Sequence, residues 1–261
     1  MSRLWDCLMY AGEADMLQMH LEETERRVHR WVIAQAKVTH RGLPKPLHDI
    51  TSDERFAAWR SRLVPVTANL DGLPAPWQRE HAQRDAAWSA LTAGGLRDDD
   101  VVLIADVDEI PSAAALAWSG PDAVSLFMRT ALFAADWLVP DSHPLPPSAV
   151  LCTGRALPDR GGGLAAMRDY RGAYPVLPDG GWHFSWVGGP AFQREKLEKR
   201  TCHTEIYATP EGALIRSGSR WRSPETGGGI PVEPAEVDET WPAFIRERRC
   251  PADWFRPRSG E

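Results

Sequence analysis

The sequence has few cysteines, and none of them is closely paired. Its 261 residues include only Cys7, Cys152, Cys202 and Cys250, without any CxxC spacing. Zinc ribbons and thioredoxin-like redox sites require such pairs, so both kinds of site are excluded. Four cysteines this far apart indicate reduced, mostly buried thiols, although two disulfides in a secreted protein stay possible.

The sequence also lacks a long apolar run and a secretion signal. No segment approaches the roughly 18 apolar residues that a membrane span requires. The first residues, MSRLWDCLMYAGEADML, do not place a basic stretch before an apolar one, as a signal peptide does. We therefore expect a soluble protein without a membrane span that stays in the cytoplasm.

Positive charge is in deficit. Lys and Arg number 30 against 36 Asp and Glu, a net charge of −6, so the chain carries no global field for DNA or anionic lipid. The candidates for a local phosphate-binding face are Arg194, Lys196, Lys199 and Arg200 with Arg246, Arg248 and Arg249. A solvated helix surface is the favoured interpretation of these residues, so duplex DNA is a partner that the sequence allows but does not favour.

The apolar content is that of a globular protein. Hydrophobic residues make up 43% of the chain, enough for a sizeable core and too many for a disordered protein. We find no repeat or low-complexity tract. We therefore expect one domain over residues 1–261, with its core in residues 4–206 and an irregular extension over residues 207–261.

The apolar pattern predicts an α/β fold. Residues 4–10 are typical of a strand, residues 13–30 of a helix and residues 31–36 of a buried strand. This order is the β-α-β unit from which parallel sheets are built. A further helix over residues 77–91 leads to a strand over residues 101–105.

The most distinctive segment is an apolar strand that ends in acidic residues. Residues 101–105, VVLIA, are continuously apolar, as in a strand covered on both faces, and the sequence DVDEIP follows. Ligands bind at the carboxyl ends of the strands in such sheets. Aspartates at positions i and i+2 lie on the same side of an extended chain, where both can face a cation that holds a diphosphate. Asp106 and Asp108 are therefore candidate metal-binding residues.

A plainer interpretation of Asp106 and Asp108 is a solvated acidic loop or an N-cap for the next helix. Such triplets occur by chance in most proteins. The apolar strand before them and the sequence EIP after them favour the functional interpretation.

The sequence DVDEIP after an apolar strand resembles the signature of glycosyltransferase family 17. Further segments resemble the family in the same order: WDCLMYAGEADMLQMHLEE, WVIAQAKVTHRGLPKPL, WQREHAQRDAA, GGWHFSWVGG and CHTEI. The family includes the β-1,4-N-acetylglucosaminyltransferase that adds the bisecting residue to N-glycans. The likeness covers about residues 4–206, and the chain is similar to the family's bacterial and viral members.

The resemblance implies an inverting glycosyltransferase of GT-A type, with a Rossmann-like, mixed and mostly parallel sheet flanked by helices. Such an enzyme uses a nucleotide-sugar donor, which we expect to be UDP-linked, and Mn²⁺ or Mg²⁺. Carried over to this sequence, Asp106 and Asp108 would hold the metal and the diphosphate, and His183 would contact one of these. A core histidine explains His183 equally well. Trp182 would form a platform for a sugar ring, unless it is a core aromatic.

An inverting reaction needs a general base that takes the proton of the acceptor hydroxyl. Glu205 in CHTEI, beside His203, is the first candidate, and Asp136 is the second. Glu109 is a third, although it can instead cap the next helix or orient Asp106. Whether His203 is a ligand, a base or a structural group stays open.

Residues at the ends of the early strands are candidates for binding the donor. Lys45 and Arg84 would place positive charge at the diphosphate or orient the metal carboxylates, although each is equally explained as a solvated surface cation. The family usually carries Glu where this sequence has Gln35. The change preserves the shape but removes the charge, so a preference for one nucleotide or sugar does not carry over.

The acceptor stays open between a glycan hydroxyl, a small metabolite and, for a viral source, a hydroxymethylated DNA base. Two other classes are alternatives. A metal-dependent phosphohydrolase or nucleotidyltransferase also gathers carboxylates at strand ends, but the sequence lacks the additional ligands or the basic loop that these enzymes use. An inactive carbohydrate-binding relative is the second alternative, and the intact Asp106 and Asp108 argue against it.

Overall fold

The computed structural model of this protein describes residues 2–159, 163–199, 221–222, 229–230 and 232–255. The strands in these ranges are β1 Leu4–Met9, β2 Val28–Ala36, β3 Leu63–Ala68, β4 Val101–Asp106, β5 Glu109–Pro111, β6 Ala123–Leu132, β7 Trp137–Leu138, β8 Val150–Thr153, β9 Val176–Ser185, β10 Trp221–Arg222, β11 Gly229–Ile230 and β12 Glu233–Pro234. The α-helices are α1 Ala14–Thr24, α2 Pro76–Asp85, α3 Ala87–Ala93, α4 Ala113–Leu116, α5 Ala156–Asp159, α6 Gly163–Asp169, α7 Pro190–Lys199 and α8 Ala243–Arg246. Short 3₁₀ helices cover Glu54–Arg62, Tyr170–Ala173 and Ala252–Trp254. None of these helices is both long enough and apolar enough to cross a membrane.

Ten of the described strands form one mixed sheet. Its order is β12-β7-β6-β8-β4-β1-β2-β3, with β9 paired to β6 and β5 paired to β9. The neighbours β4, β1, β2 and β3 are parallel, and β8 lies antiparallel between β4 and β6. The predicted β-α-β unit and the mixed sheet flanked by helices are confirmed.

Both faces of the central strands are buried. In β1, Leu4 and Leu8 belong to a core shared with α1, whereas Trp5 and Cys7 belong to a second core shared with α3 and α6. Alternate residues of a strand point to opposite faces, so a strand covered on both sides requires apolar side chains at nearly every position. The run VVLIA meets this requirement and forms β4.

The boundaries of two helices differ from the prediction. The helix predicted over residues 13–30 ends at Thr24, and β2 already begins at Val28. Val28 and Trp31 are buried in the sheet, and the burial of these side chains outweighs the helix preference of the charged residues 25–27 before them. The helix predicted over residues 77–91 is interrupted at Ala86, between α2 and α3.

The chain after residue 120 is more regular than the sequence predicts. The segment GGWHFSWVGG contributes the end of β9, which pairs with β5 on one side and with β6 on the other. Gly181 has a φ of +137°, and a Cβ atom at this position would lie 2.1 Å from the carbonyl oxygen of Ile110. Glycine is therefore required where β9 approaches β5.

Residues near the end of the described chain are part of the main core. Trp241, Phe244, Ile245 and Trp254 are buried in the same cluster as the apolar face of α1. The backbone N–H of Phe244 also donates to Glu23 Oε1 at 3.0 Å. The extension predicted as irregular thus includes core residues.

The described cysteines are free thiols. Cys7, Cys152 and Cys250 are buried and unpaired, and burial raises the pKa of Cys152 to about 12. For these three residues the prediction of buried thiols is confirmed, whereas Cys202 lies outside the described residues.

One buried carboxylate joins the starts of β1 and β4. Asp100, which directly precedes β4, accepts hydrogen bonds from the backbone N–H and the guanidinium of both Arg3 and Arg97. It also accepts one from Trp5 Nε1 at 3.3 Å. Burial alone would raise the pKa of the Asp100 carboxyl, but the bonds from the two arginines hold it well below its usual range.

We expect Asp100→Asn to lower the free energy of unfolding by about 3 kcal/mol, because two guanidinium groups lose their buried charged partner. The pKa of Asp100 is lower in the folded than in the unfolded protein. Its stabilising effect is therefore complete above about pH 5 and is lost as the pH falls toward the native pKa.

Urea denaturation of both proteins, at several pH values from about 3 to 7, measures this effect. The stability difference between wild type and Asp100→Asn should shrink toward low pH. A difference that stays constant over the whole range would show that the charge of Asp100 does not contribute.

Candidate active site

A cavity of about 640 Å³ opens at the carboxyl ends of β1, β2 and β4. The described residues that line it are residues 9–14 at the end of β1, residues 38–40 and 45–48 after β2, residues 106–108 after β4, Glu80 and Gln83 of α2, and Phe192, Glu195 and Lys196 of α7. Ligands bind at this edge of α/β sheets. The predicted pair Asp106 and Asp108 lies in the wall of this cavity.

The turn after β4 is held by hydrogen bonds at both ends. The backbone N–H of Asp106 donates to Glu109 Oε2 at 2.8 Å, and the N–H of Phe184 in β9 donates to the carbonyl oxygen of Asp108 at 2.8 Å. Glu109 is itself opposite His183 in the β5–β9 pairing. The two aspartates are therefore presented by a turn that is joined to β9.

Asp106 faces two arginines. Its Oδ1 accepts from Arg84 Nη2 of α2 at 3.0 Å, and its Oδ2 from Arg168 Nη2 of α6 at 3.4 Å. Arg168 Nη1 also donates to Glu109 Oε2 at 2.8 Å. Burial would raise the pKa of the Asp106 carboxyl, but the charges of Arg84 and Arg168 hold it well below its usual range. Asp106 is thus ionised and fixed in direction.

Asp108 has a different set of neighbours. Lys196 Nζ of α7 lies 3.3 Å from its Oδ2, and His183 Nε2 of β9 lies 3.9 Å from its Oδ1. His183 Nδ1 is 3.5 Å from the hydroxyl of Ser148. Although both aspartates line one cavity, Asp106 is directed to the arginines, and Asp108 to Lys196 and His183.

The lining of the cavity fits a divalent cation. The described lining residues include five carboxylates and two lysines. Negative charge is thus in excess, and it would repel an anionic ligand that bound without a cation. Asp108 with His183 offers oxygen and nitrogen donors that suit Mn²⁺, and such ions complete their coordination with phosphate oxygens and water. No group of three or more His, Cys, Asp or Glu side chains converges on one point in the described ranges. The described residues would therefore supply few ligands to the ion.

A buried pair that the sequence did not predict supports the turn. His20 of α1 places Nε2 2.9 Å from Asp6 Oδ2 and Nδ1 3.2 Å from the carbonyl oxygen of Val107. Both His20 and Asp6 are fully buried. They connect β1 and α1 to the residue between the two aspartates. The only sequence signals were an acidic residue in an apolar strand and a histidine on the apolar face of a helix.

The predicted donor-binding residues have distinct positions. Arg84 is buried against Asp106. Lys45 lines the cavity, and burial lowers its pKa. Gln35 is bonded twice to the backbone of His48: its Nε2 donates to the carbonyl oxygen and its Oε1 accepts from the N–H, both at 3.0 Å. The side chain of Gln35 thereby holds the loop after β2, in which Lys45 lies.

Trp182 is packed in the core. Its ring stacks on that of Trp241 with centroids 4.3 Å apart, and its Nε1 donates to the carbonyl oxygen of Thr240 at 3.1 Å. Trp182 is not one of the described residues that line the cavity. This position favours the interpretation as a core aromatic over that of a sugar platform, because the residue is 7% exposed and its ring lies against Trp241.

The candidates for the general base lie in different places. Glu109 is 1% exposed and paired with Arg168, which suits the role of orienting Asp106. Asp136 lies in the turn between β6 and β7 and not among the described residues of the cavity wall. Glu205 and His203 lie outside the described residues.

Sequence reasoning missed a group of polar side chains on the wall formed by β1 and β2. The Tyr10 hydroxyl lies 2.7 Å from His48 Nδ1, and His48 Nε2 lies 2.8 Å from Asp53 Oδ2. Arg168 was missed as well, because its partners Asp106 and Glu109 are about 60 residues away in the chain. No local pattern in the sequence reports such distant pairs.

A family model described as glycosyltransferase family 17 matches residues 1–189. Among solved structures, glucosyl-3-phosphoglycerate synthase from Mycobacterium tuberculosis in complex with UDP is 11% identical, covers 94% of this chain and 92% of its own, and has a TM-score of 0.41. An active-site mutant of LgtC is 11% identical, covers 95% of this chain and 98% of its own, and has a TM-score of 0.37. No curated protein matches the chain.

We expect Gln35→Glu to lower the free energy of unfolding by about 2 kcal/mol, because a carboxylate would face the carbonyl oxygen of His48 and lose its donor. Gln78→Glu is the matched control. The side chain of the exposed Gln78 accepts a hydrogen bond through Oε1 from the N–H of Ala75. A glutamate can accept the same bond, so the change at this position should leave the stability unaltered. Equal effects of the two variants in urea denaturation would contradict the role given to Gln35.

Proposed function

This chain belongs to glycosyltransferase family 17, and we propose that it transfers a sugar from a nucleotide diphosphate to an acceptor hydroxyl at the cavity bordered by Asp106 and Asp108. The family match over residues 1–189 makes the chain a transferase. The matched segment includes residues 106–109, which we call the acidic turn, together with His183 and most of the cavity wall. The observation that carries the proposal is the position of Asp108 in that wall, with His183 beside it.

We propose that Mn²⁺ or Mg²⁺ binds together with the donor. A nucleotide sugar carries its charge on two phosphates, and the cavity wall is itself acidic. A divalent cation on Asp108 and His183 would offset the negative charge of the cavity wall and that of the phosphates. It would also stabilise the diphosphate as it leaves. Asp106 is already neutralised by Arg84 and Arg168, so its role is to fix the turn and the direction of Asp108.

The proposed reaction is a single displacement with inversion. The oxygen of the acceptor hydroxyl forms a bond to the anomeric carbon as the bond from that carbon to the diphosphate oxygen breaks. The hydroxyl proton passes to a general base, for which Glu205 is our first candidate. UDP is the nucleotide that we propose to test first, and the acceptor is a hydroxyl of a glycan or a small molecule.

The described part of the basic clusters gives no support to duplex DNA as a partner. Lys196 contacts Asp108 within the cavity wall. Arg249 is paired with Glu22, and the guanidinium of Arg248 lies over the ring of Phe255, 3.6 Å from its centroid. Each of these three side chains has a partner within the protein, so their positions do not by themselves indicate a phosphate-binding face.

We expect Asp108→Asn to reduce sugar transfer by at least about 100-fold, because charge on the departing diphosphate is no longer offset. Its unfolding should change little, since Asp108 is partly exposed. Asp106→Asn is less informative, because it also removes the partner of two arginines. Asp122→Asn, the same change at an exposed residue outside the cavity, should keep full activity.

The measurement is sugar transfer, or slow hydrolysis of the donor, with Mn²⁺ and a panel of nucleotide sugars. The donor is first selected as the one that raises the melting temperature of the wild type in the presence of Mn²⁺. Wild-type turnover by Asp108→Asn would sink the proposal for this cavity.

We expect Glu205→Gln to reduce transfer by about 100-fold or more while donor binding stays unchanged, because only proton removal is lost. Asp136→Asn tests the competing candidate in the same assay. Glu236→Gln, at an exposed position, is the control for the loss of one surface carboxylate. If Asp136→Asn is inactive and Glu205→Gln is active, the assignment of the base to Glu205 is wrong.

A further inference from the structure

The side chain of Lys196, in helix α7, forms part of the cavity wall. Its Nζ lies 3.3 Å from Asp108 Oδ2, and only 16% of its side chain is exposed. The sequence suggested a solvated helix surface for this residue. The structure instead places its ammonium group on the aspartate that we propose as the metal residue. The family match ends at residue 189, before Lys196.

Two aromatic rings hold the same ammonium group. Lys196 Nζ lies 5.3 Å from the centroid of the Trp186 ring and 5.9 Å from that of Phe192. A cation is attracted to an aromatic face at such distances, and more strongly where water is partly excluded. These contacts do not depend on Asp108. The ammonium group would therefore stay at the cavity after losing its carboxylate partner.

Each carboxylate of the acidic turn has a cationic partner, although the cavity wall as a whole carries more carboxylates than lysines. Three carboxylates, Asp106, Asp108 and Glu109, are paired with three cationic side chains, Arg84, Arg168 and Lys196. The two arginines are almost fully buried: Arg168 bridges Asp106 and Glu109, and Arg84 bridges Asp106 and Glu80 of its own helix. Within the described ranges Lys196 has one carboxylate partner, and its ammonium group stands on a long flexible stem. Of the three cations, Lys196 is the one that can move away without leaving a buried charge unpaired.

We propose that Lys196 is an exchangeable counter-ion of Asp108. In the free enzyme the ammonium group of Lys196 is paired with the carboxylate of Asp108. When a divalent cation binds to Asp108, Lys196 turns to the diphosphate of the donor and contributes positive charge to the departing group. The proposal rests on the proposed function, because it requires a diphosphate in this cavity.

The two halves of the proposal predict opposite changes in one variant. Lys196→Met keeps an apolar stem of similar length against Trp186 and Phe192 but removes the charge. Binding of Mn²⁺ alone should become about tenfold tighter, because the competing ammonium group is gone. Binding of UDP in saturating Mn²⁺ should become about tenfold weaker, because one cation at the diphosphate is lost.

Calorimetric titration of the full chain with MnCl₂ alone, and then with UDP in MnCl₂, measures both affinities. Lys196→Arg should keep both affinities near those of the wild type. Lys45→Met, at the other lysine of the cavity wall, controls for a general loss of positive charge and should not tighten Mn²⁺ binding to the same degree. Uridine, which has no diphosphate, should bind wild type and Lys196→Met equally.

Three results would overturn the proposal. Unchanged or weaker Mn²⁺ binding by folded Lys196→Met would show that Lys196 does not compete for Asp108. Tighter Mn²⁺ binding with unchanged UDP binding would remove its role at the diphosphate. Equal tightening of Mn²⁺ binding by Lys45→Met would make the effect one of overall charge. A wild type that binds neither Mn²⁺ nor UDP or GDP would instead contradict the proposed function itself.

Discussion

Two buried guanidinium groups make the acidic end of β4 possible. Asp106, Asp108 and Glu109 stand within four residues of the sequence, and gathering their charges at the end of a buried strand would be unfavourable without compensation. Arg84 from α2 and Arg168 from α6 provide it. Because these helices carry the arginines, their packing on the sheet determines the shape of the turn. The direction of Asp108 into the cavity follows from that shape.

The parts that could be predicted from the sequence are those with a local signal. The alternation of apolar segments identified β1, α1 and β2, and the continuous run VVLIA identified a strand covered on both faces. The residues DVDEIP marked the cavity because carboxylates at a strand end in an α/β sheet indicate a ligand site. Each of these signals is contained in fewer than forty consecutive residues.

The parts that could not be predicted depend on side-chain directions between distant elements. The i, i+2 spacing made Asp106 and Asp108 equivalent, yet one faces two arginines and the other Lys196. Trp182 was equally compatible with a sugar platform or the core until the position of Trp241 was known. Gln35, likewise, could have faced the donor, but its amide is satisfied by the backbone of His48. Composition and periodicity carry no information about such partners.

The aromatic residues between positions 241 and 254 determine where the chain can be truncated without exposing its core. Trp241, Phe244 and Trp254 fill the same hydrophobic cluster as α1 and Val107, the residue between Asp106 and Asp108. A fragment cut at residue 189, where the family match ends, would leave that cluster open to solvent. The segment that the family model matches therefore buries part of its apolar surface against residues 241–254, and a boundary at residue 189 would expose apolar side chains next to the acidic turn.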